Sequence, residues 1–334
     1  MSDLALAMFA AETDAHLLAA PRNRRFEAFA GSFDEAACLR RLAKLGIRWV
    51  PRRDDGYPAR LRAIHDPPVG LFVRGDGPLD LLARPCVAIV GARACSPYGS
   101  EVAAMLGNRL ASAGVVVISG LARGVDAAAH RGALVTGITV AVLGCGIDRD
   151  YPRAHASLAA DIAADGLLVS EYAPGVEPAP WRFPARNRIV AGLADATVVV
   201  EARARSGALI TADLALEEGR DVLAVPGEIT SHLSAGSNAL LRLGATPATA
   251  ASDVLEVLGI DPAVAAASAA APANLSDTTE VVARLVADAA IAVDEIIRRT
   301  GLGAAEVSAA LTELELLGLV SEADGVYRGV MRPA

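Results

Sequence analysis

The hydrophobic pattern changes character twice along the chain. In the first 65 or so residues, apolar positions recur at helical spacing in Asp3 to Leu18 and in Ser32 to Leu45, which predicts short helices. From about residue 66 to 260 the pattern becomes short continuous apolar runs: Cys86 to Val90, Val115 to Ser119, Ile138 to Leu143, Leu167 to Ser170, Ala196 to Glu201 and Val222 to Val225. Runs without polar alternation belong to strands buried on both faces. Helical periods separate them, as in Tyr98 to Ala113 and Val125 to Val135. Strands alternating with helices predict an α/β fold, a doubly wound parallel sheet with right-handed crossovers. Ligands of such sheets sit beyond the carboxyl ends of the strands.

Past residue 260 the texture changes again. Residues 261–277 form an Ala/Pro/Ser tract with few large apolar groups, which reads as a linker. Helical segments follow at Asp277 to Val286, Val293 to Thr300 and Ala304 to Leu317, the last two joined by Gly301-Leu302-Gly303. Val320 to Val330 reads as two short strands around Asp324-Gly325. Helix, helix, turn, helix, hairpin is the order of a winged helix. The expected organisation is a helical N-terminal region (1–65), a Rossmann-like sheet domain (66–260), a linker (261–277) and a winged helix (278–334).

Composition narrows the function classes. The 334 residues are 53% apolar and 21% charged, enough to bury sizeable cores. A net charge of −8 excludes a uniformly basic nucleic-acid coat and leaves room for a local basic groove. Lys44 is the only lysine among the 31 basic residues, a bias that genome composition explains. Every other cation is therefore a planar fork suited to phosphate oxygens. The arginines crowding the N-terminal region (Arg22, Arg24, Arg25, Arg40, Arg41, Arg48, Arg52, Arg53) read as a solvated face. Four dispersed cysteines and five scattered histidines give no zinc site, no disulfide framework and no metal constellation. The start lacks the pattern of a secretory signal, and no apolar run reaches the roughly 20 residues of a spanning helix. A cytosolic protein without a cofactor is expected.

Four loops at the strand ends carry the candidate chemistry. The first is Gly91-Ala92-Arg93 with Ser96, Tyr98 and Gly99, where Ser96 caps a helix whose free N–H groups form an anion site and Arg93 adds a forked donor. The second holds Gly120, Ala122, Arg123 and Gly124, small residues that let a bulky ligand approach the backbone. Asp126 reads there as a capping residue and His130 as a structural one. The third, Trp181-Arg182-Phe183-Pro184 with Arg186, Asn187 and Arg188, mixes arginines that neutralise phosphates with rings that stack on bases or anchor the loop. The fourth, Glu201 with Arg203, Arg205, Ser206 and Gly207, opens another helix with free N–H groups beside two arginines. Several cradles in a row suit a chain of phosphates, and the aromatic share favours a single strand over a duplex.

An enzyme is the rival reading: such a sheet could bind a nucleoside monophosphate and hydrolyse its glycosidic bond. The PGGxGTxxE arrangement that supplies the carboxylate in phosphoribohydrolases is missing, and Glu217 and Glu218 lie beyond the loop on a helix. There is no GxGxxG after the first strand and no GxxxxGK[ST] phosphate loop.

The runs GARxxSxYG, SGLARGVDxxAH, FPxRNRIVAGL, EARxRSGALITA and AVPGE, the last followed by Gly236-Ser237-Asn238, resemble the DNA processing protein A (DprA/Smf) family over roughly residues 57–260. That resemblance implies an extended Rossmann-like domain that binds single-stranded DNA without catalysis. It also implies loading of the RecA recombinase in natural transformation and a homodimer, with the dimer and recombinase surface near Asn238 to Thr249. The family's loop arginine falls on Arg93, its FPxRNR signature on Phe183, Pro184, Arg186, Asn187 and Arg188, and its serine-glycine turn on Ser206 and Gly207. Two departures stand out: Ala92 replaces the usual small polar residue before the loop arginine, and the N-terminal region has no helix-hairpin-helix glycine turn. The winged helix resembles the extra domain of some members. From Glu280 onward it carries nine acidic against five basic residues. The helix at its recognition position, Ala304 to Leu317, has acids and no base, which points to protein contacts rather than groove reading.

Overall fold

The computed structural model describes residues 2–13, 24–261, 276–288, 291–316, 320–323 and 326–329. Two compact units divide the chain, Met1–Ala265 and Ala266–Ala334. In chain order the first holds α1 (Asp3–Thr13), α2 (Arg24–Ser32), α3 (Glu35–Lys44), β1 (Ile47–Pro51), α4 (Ala59–Arg62), β2 (Gly70–Arg74), β3 (Cys86–Val90), α5 (Pro97–Ser112), β4 (Val116–Ser119) and α6 (Val125–Thr136). It continues with β5 (Thr139–Val142), α7 (Ala156–Asp165), β6 (Leu167–Ser170), α8 (Arg182–Leu193), β7 (Ala196–Val199), α9 (Gly207–Glu217), β8 (Asp221–Ala224), α10 (Ala235–Arg242), β9 (Thr246–Pro247) and α11 (Ala251–Val257).

The strands form one nine-stranded sheet of order β1-β2-β6-β5-β4-β3-β7-β8-β9. From β6 to β9 all neighbours are parallel. All six continuous apolar runs are strands, and the alternation inside them explains why they are continuous. Val87 and Ile89 of β3 join Leu106 and Leu110 of α5 and Val125 of α6 on one face. Cys86, Ala88 and Val90 join Ile189 and Leu193 of α8 and Ala212 of α9 on the other. Each fully buried valine or isoleucine contributes about 1.5–3 kcal/mol, so neither face of β3 has room for a polar residue.

Three strands of this sheet were not foreseen: β1, β2 and the two-residue β9, which pairs parallel with β8 at the other edge. β1 pairs antiparallel with β2, which pairs antiparallel with β6, so both extend the parallel sheet at one edge. β1 reads Ile-Arg-Trp-Val-Pro: an edge strand satisfies one neighbour only and tolerates Arg48 and Pro51. The helical N-terminal segment is therefore continuous with the sheet. Leu4 of α1 and Leu42 of α3 share a core with Phe72, Leu143 and Leu168. Positions 14–18 of the first expected helix lie outside the described residues, as do 262–275 of the expected linker.

The chain order reverses at the centre of the sheet. From β3 it runs outward through β4, β5 and β6, then returns through α8 to lay β7 on the other side of β3. Register there is Ala88↔Thr197 and Val90↔Val199. A crevice consequently opens between the carboxyl ends of β3 and β7, the place where the loops of two diverging halves part.

The second unit has helices Asp277–Asp288, Val293–Thr300 and Ala304–Leu316, with a three-stranded antiparallel sheet of Ile291–Ala292, Val326–Gly329 and Val320–Ala323 in that spatial order. Val282, Ile296, Val307, Leu311 and Leu314 form its core. Gly301, in the left-handed region (φ 70°), ends the second helix. This is a winged-helix arrangement; its expected Asp324-Gly325 turn lies outside the described residues.

Candidate nucleic-acid interface

A cavity of about 400 Å³ occupies the crevice. Its walls come from the four expected loops: Gly91 and Arg93 after β3, Gly120 and Asp126 after β4, Phe183, Arg186 and Asn187 of α8, and Arg203, Arg205, Ser206 and Gly207 after β7. The loops thus converge on one site. Ser96, Tyr98, Gly99, Arg123, Gly124 and Arg188 do not line it.

Burial organises the floor. Arg186 lies inside the protein and donates from Nη1 to Gly120 O (2.9 Å) and to Val142 O, joining the ends of β4 and β5. A Cβ on residue 120 would collide with that guanidinium, so a side chain there could be seated only by displacing Arg186 from its two carbonyls. Asp126 accepts from the N–H groups of Gly120 and Ala122, both at 3.2 Å. Burial pushes its carboxyl up against the pull of Arg186, while burial pulls the Arg186 guanidinium down against the pull of Asp126. Leu121 sits between them at φ 58°, an unusual conformation for a branched residue, and buried His155 donates from Nδ1 to its carbonyl (3.0 Å). Three side chains from three elements therefore clamp this turn. Gly124 (φ 75°) lets α6 begin directly against the Ala92 carbonyl.

The helix starts differ. At α9, Ser206 accepts from Ala208 N–H (3.3 Å), and the first turn faces the cavity beside Arg203 and Arg205, both exposed. Asn187 donates to Gly207 O (3.2 Å) and ties α8 to this start. At α5 the expected anion site is already filled. Buried Glu201, at the end of β7, accepts from Ser96 N–H (2.9 Å) and from Ser96 Oγ (2.5 Å). A Cβ on residue 99 would strike the same carboxylate. Burial and then Glu201 push the Cys95 thiol and the Tyr98 hydroxyl up. Ser96 and Gly99 thus hold a protein carboxylate where the sequence offered a phosphate cradle, and Tyr98 donates to Pro226 O (3.0 Å). Ala92, the departure from the family pattern, is buried with its N–H on Glu201 O (2.7 Å).

The arginines of the third loop turn inward. Arg188 pairs bidentately with Glu171 (2.8 Å for both bonds) and donates from Nε to Asp66 (2.8 Å), and those carboxylates hold its guanidinium above the ordinary range despite burial. It latches α8 to the end of β6 and to the loop before β2, and its donors are spent. Arg182 is buried over the rings of Tyr172 (5.4 Å) and Trp181 (4.7 Å). The outward cations are Arg93, Arg123, Arg203 and Arg205. Arg93 stands over the Phe183 ring at 5.3 Å, and Phe183, half-buried, is both an anchor and a cavity wall.

Sequence reasoning named Glu201 and Asp126 in two of the loops without finding their roles, since the partner of the first lies 105 positions away and a carboxylate at a helix start is ordinarily a cap. Asp126 is the one carboxylate among the described residues lining the cavity. Glu217 and Glu218 stand apart from it, with Glu218 accepting from His65 N–H (2.9 Å). His130 is buried and bonded to Thr139 (2.7 Å); burial pushes it down to about 3 and keeps it neutral. Among the described residues no cluster fit for a metal occurs, and no helix is long and apolar enough to cross a membrane.

Comparison with known proteins matches this geometry. The family described as DNA recombination-mediator protein A matches residues 48–259, and the DprA winged helix domain matches residues 266–325. The chain is 49% identical over 203 residues to the DNA processing protein DprA of Streptococcus pneumoniae, covering 60% of this chain and 71% of that one. The X-ray structure of that protein superposes with a TM-score of 0.64 at 41% identity, over 76% of this chain and 91% of the other. Protein Smf of Escherichia coli is 40% identical over 287 residues, 83% of this chain and 76% of that one. DNA processing protein A of Helicobacter pylori, solved to explain its single-stranded DNA binding mode, superposes with a TM-score of 0.58 at 31% identity, over 64% and 95% of the two chains. With one family model matched over residues 48–259, the winged-helix model following it, and relatives 40–49% identical, the chain belongs to the DNA processing protein A family.

Proposed function

We propose that this protein binds single-stranded DNA along the rim of the switch-point cavity without catalysing a reaction on it. It then hands the strand to the RecA recombinase, acting in the cytoplasm as a homodimer during natural transformation and recombination. The observation that carries the reading is the exposed arginine set lining the cavity, Arg93, Arg203 and Arg205, beside an open helix start in a protein of net charge −8. Forked cations and bare N–H groups at one rim suit consecutive phosphates. The mixture of an aromatic wall, Phe183, with forked cations suits a strand whose bases are unpaired, which a duplex does not offer. The Helicobacter pylori relative, named for its single-stranded DNA binding, supports the choice of ligand. RecA loading and dimerisation through the region Asn238 to Thr249 rest on the family resemblance.

Titration of fluorescent oligo-dT against a duplex of equal length, at two salt concentrations, tests this. Tighter binding of the single strand is expected, with affinity falling by about 0.7 log units per log unit of salt for each phosphate contacted. Equal affinity for both DNAs, or release of free base from a nucleoside monophosphate, overturns the reading in favour of a duplex binder or a hydrolase.

A further inference from the structure

The turn that carries Tyr151 lies outside the four loops singled out by their glycines and arginines. Tyr151 is 43% exposed, and its ring stacks on Phe183 with centroids 5.4 Å apart and planes 25° from parallel. Phe183 lines the cavity and carries Arg93 over its ring. Planar groups therefore continue from the cavity wall out to the surface, and Tyr151 is the member that the cavity does not include.

We propose that Tyr151 is a stacking platform for an unpaired nucleobase just outside the cavity mouth, an inference that rests on the single-strand reading above. The platform is fixed in advance. His155, four residues on, is buried and bonded to Leu121 O, and its own N–H donates to Pro152 O (2.8 Å), so the turn is pinned to the floor of the site. A ring held by its surroundings loses little freedom when a base settles on it. The neighbouring aromatics are spoken for. Trp181 has the Arg182 guanidinium 4.7 Å over its ring, and Tyr172 is buried beneath the same arginine. A tyrosine serving only to cover Phe183 would be read in stability alone; a platform is read in its dependence on the base.

The test uses the full chain, an oligo-dT and the same oligomer made abasic. Tyr151→Ala is expected to bind oligo-dT about tenfold more weakly, the loss of one stacked base, with the salt slope unchanged because no phosphate contact is removed. Tyr151→Phe, which keeps the ring, should stay within about twofold of the parent, and parent and Tyr151→Ala should bind the abasic oligomer alike. If Tyr151→Ala binds oligo-dT as the parent does, or weakens both oligomers equally, the platform is refuted while the single-strand reading stands. A parent protein with no preference for oligo-dT over duplex overturns both.

Discussion

The two sides of the switch point have treated their positive charge in opposite ways. On the α5 and α8 side the protein has supplied its own anions: Glu201 fills the start of α5, and Glu171 with Asp66 saturate Arg188. On the α9 side the start of the helix faces the cavity, and Arg203 and Arg205 stand exposed with no ion pair among the described residues. Motifs of similar appearance, a serine cap and a cluster of arginines, thus end in different roles. One side pairs its helix start and its latch arginine internally and leaves only Arg93 outward, and the other leaves both Arg203 and Arg205 exposed beside an open helix start. The division has a physical logic, because a phosphate chain is held best by cations and dipoles that are fixed in place yet not already paired.

The largest effect expected from this contrast is on stability. Arg188→Ala leaves the Glu171 carboxylate, only 3% exposed, without its partner, and should cost about 3–5 kcal/mol in urea unfolding. A loss below about 1 kcal/mol accompanied by weaker DNA binding would mean that Arg188 faces the ligand, and the contrast would fail. On the open side the effect moves from stability to binding. Replacing Arg203 and Arg205 together by alanine should flatten the salt slope of single-strand binding by about 1.4, two contacts at 0.7 each, and change stability by less than about 0.5 kcal/mol. An unaltered slope would show that the open side does not touch phosphates.

How much of this was legible in the sequence follows from the range of the forces involved. The parallel strands β3 to β8 were plain because burial on both faces writes a continuous apolar run, whereas the exposed Thr246–Pro247 of β9 writes none. Three of the loops were marked by glycine or serine directly after those runs, and the third by its arginines and rings. β1 escaped because an edge strand with Arg48 in it carries no such run, and β2 because an antiparallel addition needs its neighbour β6 to be recognised. Within the site, Arg93, Arg203 and Arg205 were readable since they neighbour the turns they serve. Arg188 was not: its donors are consumed by Asp66 and Glu171, which lie 122 and 17 positions away. Glu201 was visible as the end of a strand, and only the folded chain shows that it closes the start of α5. Local chemistry announces where charge can be bound, and long-range pairing decides whether it already is.

The two capping serines give the finest measure of that decision. Both accept a hydrogen bond from their own helix, Ser96 from Gly99 N–H (3.0 Å) and Ser206 from Ala208 N–H (3.3 Å). Ser206→Ala removes a cap and nothing more, which costs about 1 kcal/mol. Ser96→Ala removes a cap and also the hydroxyl that donates to Glu201, leaving a buried carboxylate oxygen short of a partner, so its cost should rise to about 2–3 kcal/mol. Denaturant midpoints of the two variants measure the difference. Were the two costs equal, Glu201 would draw no stability from Ser96, and the start of α5 would be as open to an external phosphate as that of α9. The same pair separates stability from binding. Ser206 sits in the cavity wall and Ser96 does not, so single-strand affinity should fall more for the variant that is the less destabilised.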